Sequence, residues 1–367
     1  MRARATHSTN LFMTTRPHDA VNELLLAPEL TAGAHEAIWD ATVHGRVELS
    51  RFPAESGLDS NDRFLDLLLE RRLERGKLHL EGGLTRDTTN RVESFDLDTG
   101  LVTRKIDRHL RRWTAQGEYA LTERWLARAE LGYQAAHYPE GAAVGLTDYT
   151  WIQPSLSLFY RWNARWQLFG SLAHSRLHFD NRANLVSKTD SLQLGALYQL
   201  SERDTLQFSI GRRNTDAEFD VFFFGIPVGR LTQSDKGLVY NGQYTRKYEA
   251  GTLEVNLSRS TTPSSLGVDT DTTSVDITAK RAFSPRLHGE LRISAFDSKT
   301  IGNNTSSADY TRWQLAPAVF WNLTERLALQ ARYTYRRVKR DIAHATAHGN
   351  VFTVGLVYRW DPITSAR

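Results

Sequence analysis

Arg112-Trp113-Thr114-Ala115-Gln116-Gly117-Glu118-Tyr119-Ala120-Leu121-Thr122-Glu123-Arg124 reads as one strand running into one tight turn. Trp113, Ala115, Gly117, Tyr119 and Leu121 interleave with Arg112, Thr114, Gln116 and Glu118, the period of a strand with one apolar and one polar face. The turn Leu121-Thr122-Glu123-Arg124 returns as Leu323-Thr324-Glu325-Arg326. Between them stand Trp162-Asn163-Ala164-Arg165, Leu200-Ser201-Glu202-Arg203, Lys247-Tyr248-Glu249-Ala250 and Phe283-Ser284-Pro285-Arg286. Ala34-His35-Glu36-Ala37 and Glu74-Arg75-Gly76-Lys77 play the same part earlier. The interval is about 40 residues, a repeat that outranks length as a guide to architecture.

Midway between tight turns lie longer polar stretches: Pro53 to Asp62, Glu93 to Arg108, Tyr138 to Asp148 and Asp297 to Ala308. Short turn, strand, long loop, strand is the rhythm of an outer-membrane barrel. The spacing predicts strands at 20–34, 38–51, 63–73, 77–88, 110–121, 125–137, 149–162, 165–179 and 190–200. Further strands are predicted at 204–217, 236–246, 251–260, 272–282, 286–297, 309–322, 326–340 and 350–360, and residues 3–12 supply an eighteenth. An even count is what single-chain bacterial barrels require. The expected fold is an all-β, closed antiparallel transmembrane up-and-down β-barrel of about 18 strands (16 being the alternative count), with residues 1–367 as one domain. A soluble β-sandwich would not demand a uniform hairpin period, and a propeller blade carries four strands per repeat where this chain has two. Leu26-Ala27-Pro28, Ile152-Gln153-Pro154 and Leu315-Ala316-Pro317 each put proline in the lipid-facing register, and a β-bulge is expected at each.

Composition is compatible with this and excludes other classes. Of 367 residues, 40% are hydrophobic and 24% charged, with no apolar run long enough for a transmembrane helix. A barrel escapes hydropathy because only alternate residues face lipid. There is no cysteine, so thiol chemistry, disulfides and Cys-ligated metal are excluded. The net charge of +4 is spread among nearly equal acids and bases, which gives no nucleic-acid footprint. Met1 is followed by Arg-Ala-Arg-Ala-Thr-His without an apolar segment, so no signal peptide is visible and a missing leader is expected. Tyr160, Trp162, Trp166, Trp321, Tyr358 and Trp360 fall at strand ends, where amphipathic rings suit lipid headgroups.

The inward register is polar and carries both signs. Candidate lumen-lining residues are Arg46, Glu48, Asp66, Glu70, Arg72, Glu81, Arg112, Glu118, Arg128, Glu130 and Arg161. Asp276, Lys280, Glu290, Arg292, Arg332, Arg336 and Arg359 continue the set. They either pair across neighbouring strands and stiffen the wall, as Arg112 and Glu118 facing Arg128 and Glu130 suggest, or set the selectivity of a charged pore. Val221 to Arg230 is apolar where other loops are polar. Phe222, Phe223, Phe224 and Ile226 are expected to fold inward as a constriction, with a docking surface as the alternative.

No catalytic constellation, cofactor motif or metal motif is present, and the chain reads as a non-enzyme. His174 and Ser175 are strand neighbours on opposite faces, and Asp269 with Asp271 lack a ligand series and read as a solvated loop.

With the strands laid out, the chain resembles outer-membrane β-barrels encoded beside exopolysaccharide and exosortase (PEP-CTERM) loci. The resemblance rests on Ser8-Thr9-Asn10-Leu11-Phe12, the Leu-x-Pro strand at 26–28, the Leu-Thr-Glu-Arg turns and Val354-Gly355-Leu356-Val357-Tyr358-Arg359-Trp360. That last segment also resembles the C-terminal assembly signal of outer-membrane barrels, departing from it in that Asp361 to Arg367 follow the aromatic. The resemblance implies a bacterial outer-membrane location and a role in secreting or anchoring surface polysaccharide. It supplies no catalytic residues. The function expected is a porin-like conduit for exopolysaccharide or small polar solutes, the alternative a docking barrel with a plugged lumen. Expected partners are outer-membrane lipid, lipopolysaccharide, polysaccharide and periplasmic export components.

Overall fold

A computed structural model describes residues 1–15, 19–89, 105–181, 183–224, 226–264, 266–301, 309–340 and 345–360, without the side chains of residues 222 and 227. The strands are β1 (Arg2–Ser8), β2 (Val21–Ala27), β3 (Glu29–His35), β4 (Trp39–Arg51), β5 (Ser60–Leu73), β6 (Gly76–Thr88) and β7 (Asp107–Ala120). Next come β8 (Trp125–His137), β9 (Asp148–Arg161), β10 (Trp166–Asp180), β11 (Val186–Gln199), β12 (Asp204–Phe223) and β13 (Ile226–Tyr248). The last six are β14 (Gly251–Ser264), β15 (Val268–Ala282), β16 (Leu287–Thr300), β17 (Tyr310–Asn322), β18 (Leu327–Arg340) and β19 (Ala345–Tyr358).

From β4 to β19 each strand pairs antiparallel with the next, β2 and β3 both pair with β4, and β1 closes the sheet by pairing with both β19 and β2. Because β2 and β3 are one strand interrupted at Pro28, the nineteen segments make an 18-strand closed barrel. Closure leaves no sheet edge in the hydrocarbon region, where an unbonded backbone group has no water to turn to.

The expected alternation decides which face meets lipid. On β11, Leu192 and Leu194 are outward and exposed, while Gln193 is inward and accepts a hydrogen bond from Ser209 Oγ. Successive outward residues form an apolar band. On β10 it runs Leu168, Gly170, Leu172 before His174; on β12 it runs Leu206, Phe208, Ile210 before Arg212. Such a band suits a hydrocarbon layer of roughly 25 Å crossed by tilted strands. At the short-turn rim Trp166 stacks on Tyr198 at 4.2 Å and Trp125 meets Tyr160 at 4.7 Å, an interfacial aromatic girdle.

The three prolines are outward-facing, but none makes a bulge. Leu26 pairs with Leu49 and Glu29 with Arg46; Ser155 with Ala173 and Ile152 with Arg176; Leu315 with Tyr335 and Ala318 with Arg332. In each case two rungs are missing and the register resumes unchanged. The ring nitrogen carries no hydrogen, so the ladder fails only on the side where that donor was needed. The other ladder continues, as Leu131 opposite Pro154 and Leu291 opposite Pro317 show. The register shift that does occur among the described residues of β12 and β13 lies between Val221 and Phe222.

Among the described residues two hairpins depart from the regular wall above the band. β12 and β13 pair with each other as far as Phe223 and Ile226, well past the sequence expectation of 204–217 and 236–246. β14, by contrast, stays with β13 only up to Arg259 opposite Tyr240, then continues paired with β15 alone. The barrel wall therefore splits above Tyr240.

Candidate functional site: the lumen and its mouth

A cavity of about 690 Å³ lies inside the barrel, lined from β15 round through β1 to β7. Eight arginines (Arg4, Arg46, Arg108, Arg112, Arg292, Arg312, Arg332 and Arg336) face five carboxylates (Glu23, Glu48, Asp62, Asp87 and Asp276) across it. The alternation that sends Leu and Val to lipid places these charges inside. In a confined space of lowered dielectric such groups interact strongly.

The wall charges are knitted together. Arg46 lies 3.2 Å from Glu48 and stacks on Phe64. Asp66 meets His44 at 3.5 Å, Glu70 meets His79 at 3.9 Å, and Arg72 reaches Asp40 at 2.8 Å. Glu118 and Arg128 form the expected cross-turn pair at 2.6 Å. Arg112 instead donates to Gln134 Oε1 at 3.1 Å, and Glu130 stands opposite Gln116, so the expected second half of that quartet is not formed. Arg292 meets Asp276 at 3.5 Å, and Arg332 reaches over Ala318 to Glu290 at 3.4 Å. Arg161 faces inward at the short-turn rim, opposite Gln167. Arg336 lines the cavity. Arg359 does not: it lies beyond the end of β19, exposed at the rim, its N–H donating to Arg326 O. Among the inward charges absent from the expectation, Arg108 and Asp87 form a bidentate, fully buried pair at 3.0 and 2.9 Å. Arg108 reads as loop in sequence because polar residues precede it, yet β7 begins at Asp107.

Among the described residues three segments fold inward at the outer mouth, and none is the Phe-rich one. Met13, between β1 and β2, is buried against Phe296, Tyr310, Val338 and Ala347, with Arg340 donating to its carbonyl at 3.0 Å. Tyr138 and Leu146, between β8 and β9, pack on the inward Leu110, Tyr149, Leu177 and Phe179.

The third segment is the β14–β15 hairpin, which leans across the opening. Its Leu266 joins the Tyr138 cluster. Gly267 has φ +75°, and a Cβ there would stand 2.9 Å from Thr147 Oγ1 and 3.1 Å from Asn181 Nδ2. The hairpin thus touches the loops after β8 and β10. Its Asp271 is bound to Arg213 at 3.1 Å and to Arg259 at 2.7 Å, while Arg213 also meets Asp235 of β13 at 2.8 Å. Asp271 is therefore ion-paired and Asp269 is buried, and neither belongs to a solvated loop. Among the described residues no group of three metal-ligating side chains occurs.

The expected inward burial of Val221–Arg230 is not seen among its described side chains. Phe223 and Phe224 are 64% and 93% exposed, and Ile226 and Val228 are exposed with them, on the hairpin that rises past the split in the wall. The Phe222 side chain falls outside the described residues. Ladder pairing holds β12 and β13 to each other as far as Phe223 and Ile226. His174 is outward, 2.7 Å from Asp190, on the face opposite to Ser175.

Closed antiparallel wall, outward apolar band, aromatic rim and charged interior together define a transmembrane β-barrel of the outer-membrane type. The copper transporter OprC is similar in fold, with TM-score 0.50 at 11% identity over 92% of this chain and 61% of that one. A BenF-like porin from Pseudomonas fluorescens Pf-5 aligns with TM-score 0.47 at 12% identity over 98% of this chain and 97% of the porin. OpdL from Pseudomonas aeruginosa aligns with TM-score 0.46 at 13% identity over the same shares. No protein-family model matches the chain, and no curated protein matches it.

Proposed function

We propose that this chain is an outer-membrane, porin-like conduit for small anionic solutes. The observation that carries the reading is the excess of arginine over carboxylate around the lumen cavity. A constricted passage lined by fixed positive charge concentrates anions and repels cations. Single-channel recording in a planar bilayer under a KCl gradient tests it. The reversal potential is expected on the chloride side and moves toward zero in the Arg292→Gln/Arg332→Gln double variant.

A second reading is favoured by the packed mouth: a docking barrel whose lumen stays shut and whose exposed Phe223–Phe224 tip meets another envelope component. A well-folded protein that never conducts supports this reading and ends the first. A part in secreting or anchoring surface polysaccharide belongs to the proposal too. A polymer needs the β14–β15 hairpin to swing out, so polysaccharide-induced conductance block only after that hairpin is freed is the expected sign.

A further inference from the structure

The outward face of β5 to β7 carries a charge arrangement that the barrel does not satisfy by itself. Arg63 on β5 stands directly opposite Arg86 on β6, which stands opposite His109 on β7. In the next row toward the membrane, Leu65 is opposite Leu84, and Leu84 is opposite Arg111. Like charges in directly opposed cross-strand positions repel. Arg86 has one acidic neighbour, Asp107 at 3.3 Å. Among the described residues no carboxylate lies within ion-pair distance of Arg63 or Arg111. Five strands further round the wall acids stand among the outward cations: His174 meets Asp190 and Lys188 meets Glu218, each at 2.7 Å, although Arg176 stands opposite Lys188.

Immediately below these cations the layer of outward side chains has a gap. The row Leu30–Gly45–Leu65–Leu84 crosses four strands, and a Cβ at Gly45 would touch nothing within 4 Å. The result is a shallow outer-face groove of about 690 Å³, apolar along Leu30, Val47, Leu65 and Leu84 and cationic at its upper rim. The rim lies on the long-loop side of the apolar band, at headgroup height in the outer leaflet.

We propose that this groove is a binding site for a phosphorylated, acylated glycolipid of the outer leaflet. Arg63 and Arg86 hold the phosphate between them, Arg111 flanks it, and an acyl chain lies in the gap over Gly45 between Leu30 and Leu65. Guanidinium groups match phosphate oxygens in a forked geometry, and a dianion between two arginines turns their repulsion into a clamp. The site is independent of whether the lumen conducts.

The test uses the whole barrel in neutral detergent, with native mass spectrometry of titrations with bis-phosphorylated lipid A, dephosphorylated lipid A or inorganic phosphate. The parent protein is expected to retain bis-phosphorylated lipid A. Arg63→Gln/Arg86→Gln should weaken retention at least about tenfold. Gly45→Leu should weaken it without changing charge, and His174→Gln/Lys188→Gln should leave it unchanged. Heat-modifiable gel migration reports that each variant is folded. Lipid-free thermal unfolding should show no loss for Arg86→Gln, because removing one of two facing cations relieves repulsion. Equal retention of dephosphorylated lipid, equal retention by the double arginine variant, or displacement by millimolar inorganic phosphate would each overturn the assignment.

Discussion

Arg213 on β12 and Asp271 on β15 stand 3.1 Å apart although their strands are separated by β13 and β14 in the sheet. The contact exists because the ladder between β13 and β14 stops at Tyr240 and Arg259, which lets the β14–β15 hairpin cross inward. Gly237 makes room for it: a Cβ there would fall 2.8 Å from the Arg213 guanidinium.

Arg213 therefore acts as the latch of the mouth. In Arg213→Ala the carboxylates of Asp235 and Asp271 lose their shared cation, but Asp271 keeps Arg259 and Asp235 is partly exposed, so the loss should be about 1–3 kcal/mol. The damage should stay local, because the β13–β14 ladder below Tyr240 is untouched. Proteolysis near 265–267 is expected to quicken and single-channel conductance to rise, while gel migration stays that of a folded barrel. Asp271→Asn should act in the same direction and more weakly, since Asp235 still holds Arg213. Protease resistance and conductance both equal to the parent's would refute the latch.

Leu194→Arg and Gln193→Arg separate the two faces of the wall. Leu194 is 64% exposed in the middle of the outward band, and Gln193 is inward beside Ser209. A midplane arginine facing lipid costs roughly 2–4 kcal/mol. Urea titration of the folded barrel in lipid should show that loss for Leu194→Arg and much less for Gln193→Arg. Equal losses would mean that the faces are exchanged.

The Phe-rich tip and the buried methionine should behave oppositely. Phe224 is 93% exposed, so Phe224→Ser should change unfolding stability by no more than about 0.5 kcal/mol. Deleting residues 222–226 should likewise leave conductance as it was. Met13→Ala removes a wholly buried side chain from the Phe296–Tyr310–Val338 cluster, and core methionine truncations cost about 2–5 kcal/mol. Limited proteolysis within 9–15 is the measurement. A stability loss at Phe224 larger than at Met13 would reverse the assignment of the inward-folded segment.

Alternation and turn rhythm were enough to read the barrel, its eighteen strands and the inward set from Arg46 to Arg336. A residue's face follows from its position along a strand with period two, which is local information. The outward prolines were legible for the same reason, but not how the ladder meets them: whether a missing donor shifts the register or only leaves rungs unmade depends on the neighbouring strands. What closes the mouth was also out of reach, because a run of phenylalanines suggests burial only if something lies over it. On the β12–β13 hairpin the two strands are held to each other, and among the described residues nothing covers Phe223 or Phe224. Met13, Tyr138 and Leu266 are unremarkable in sequence, yet the first two are buried and the third half-buried in the fold, since each lies where a distant strand happens to face it. Sequence alone determined which side chains look inward. Only the tertiary structure decided which of them meet, because the Arg213–Asp271 contact and the Arg63–Arg86 pair depend on strand register and on where a ladder ends, and both are set by closing the whole sheet.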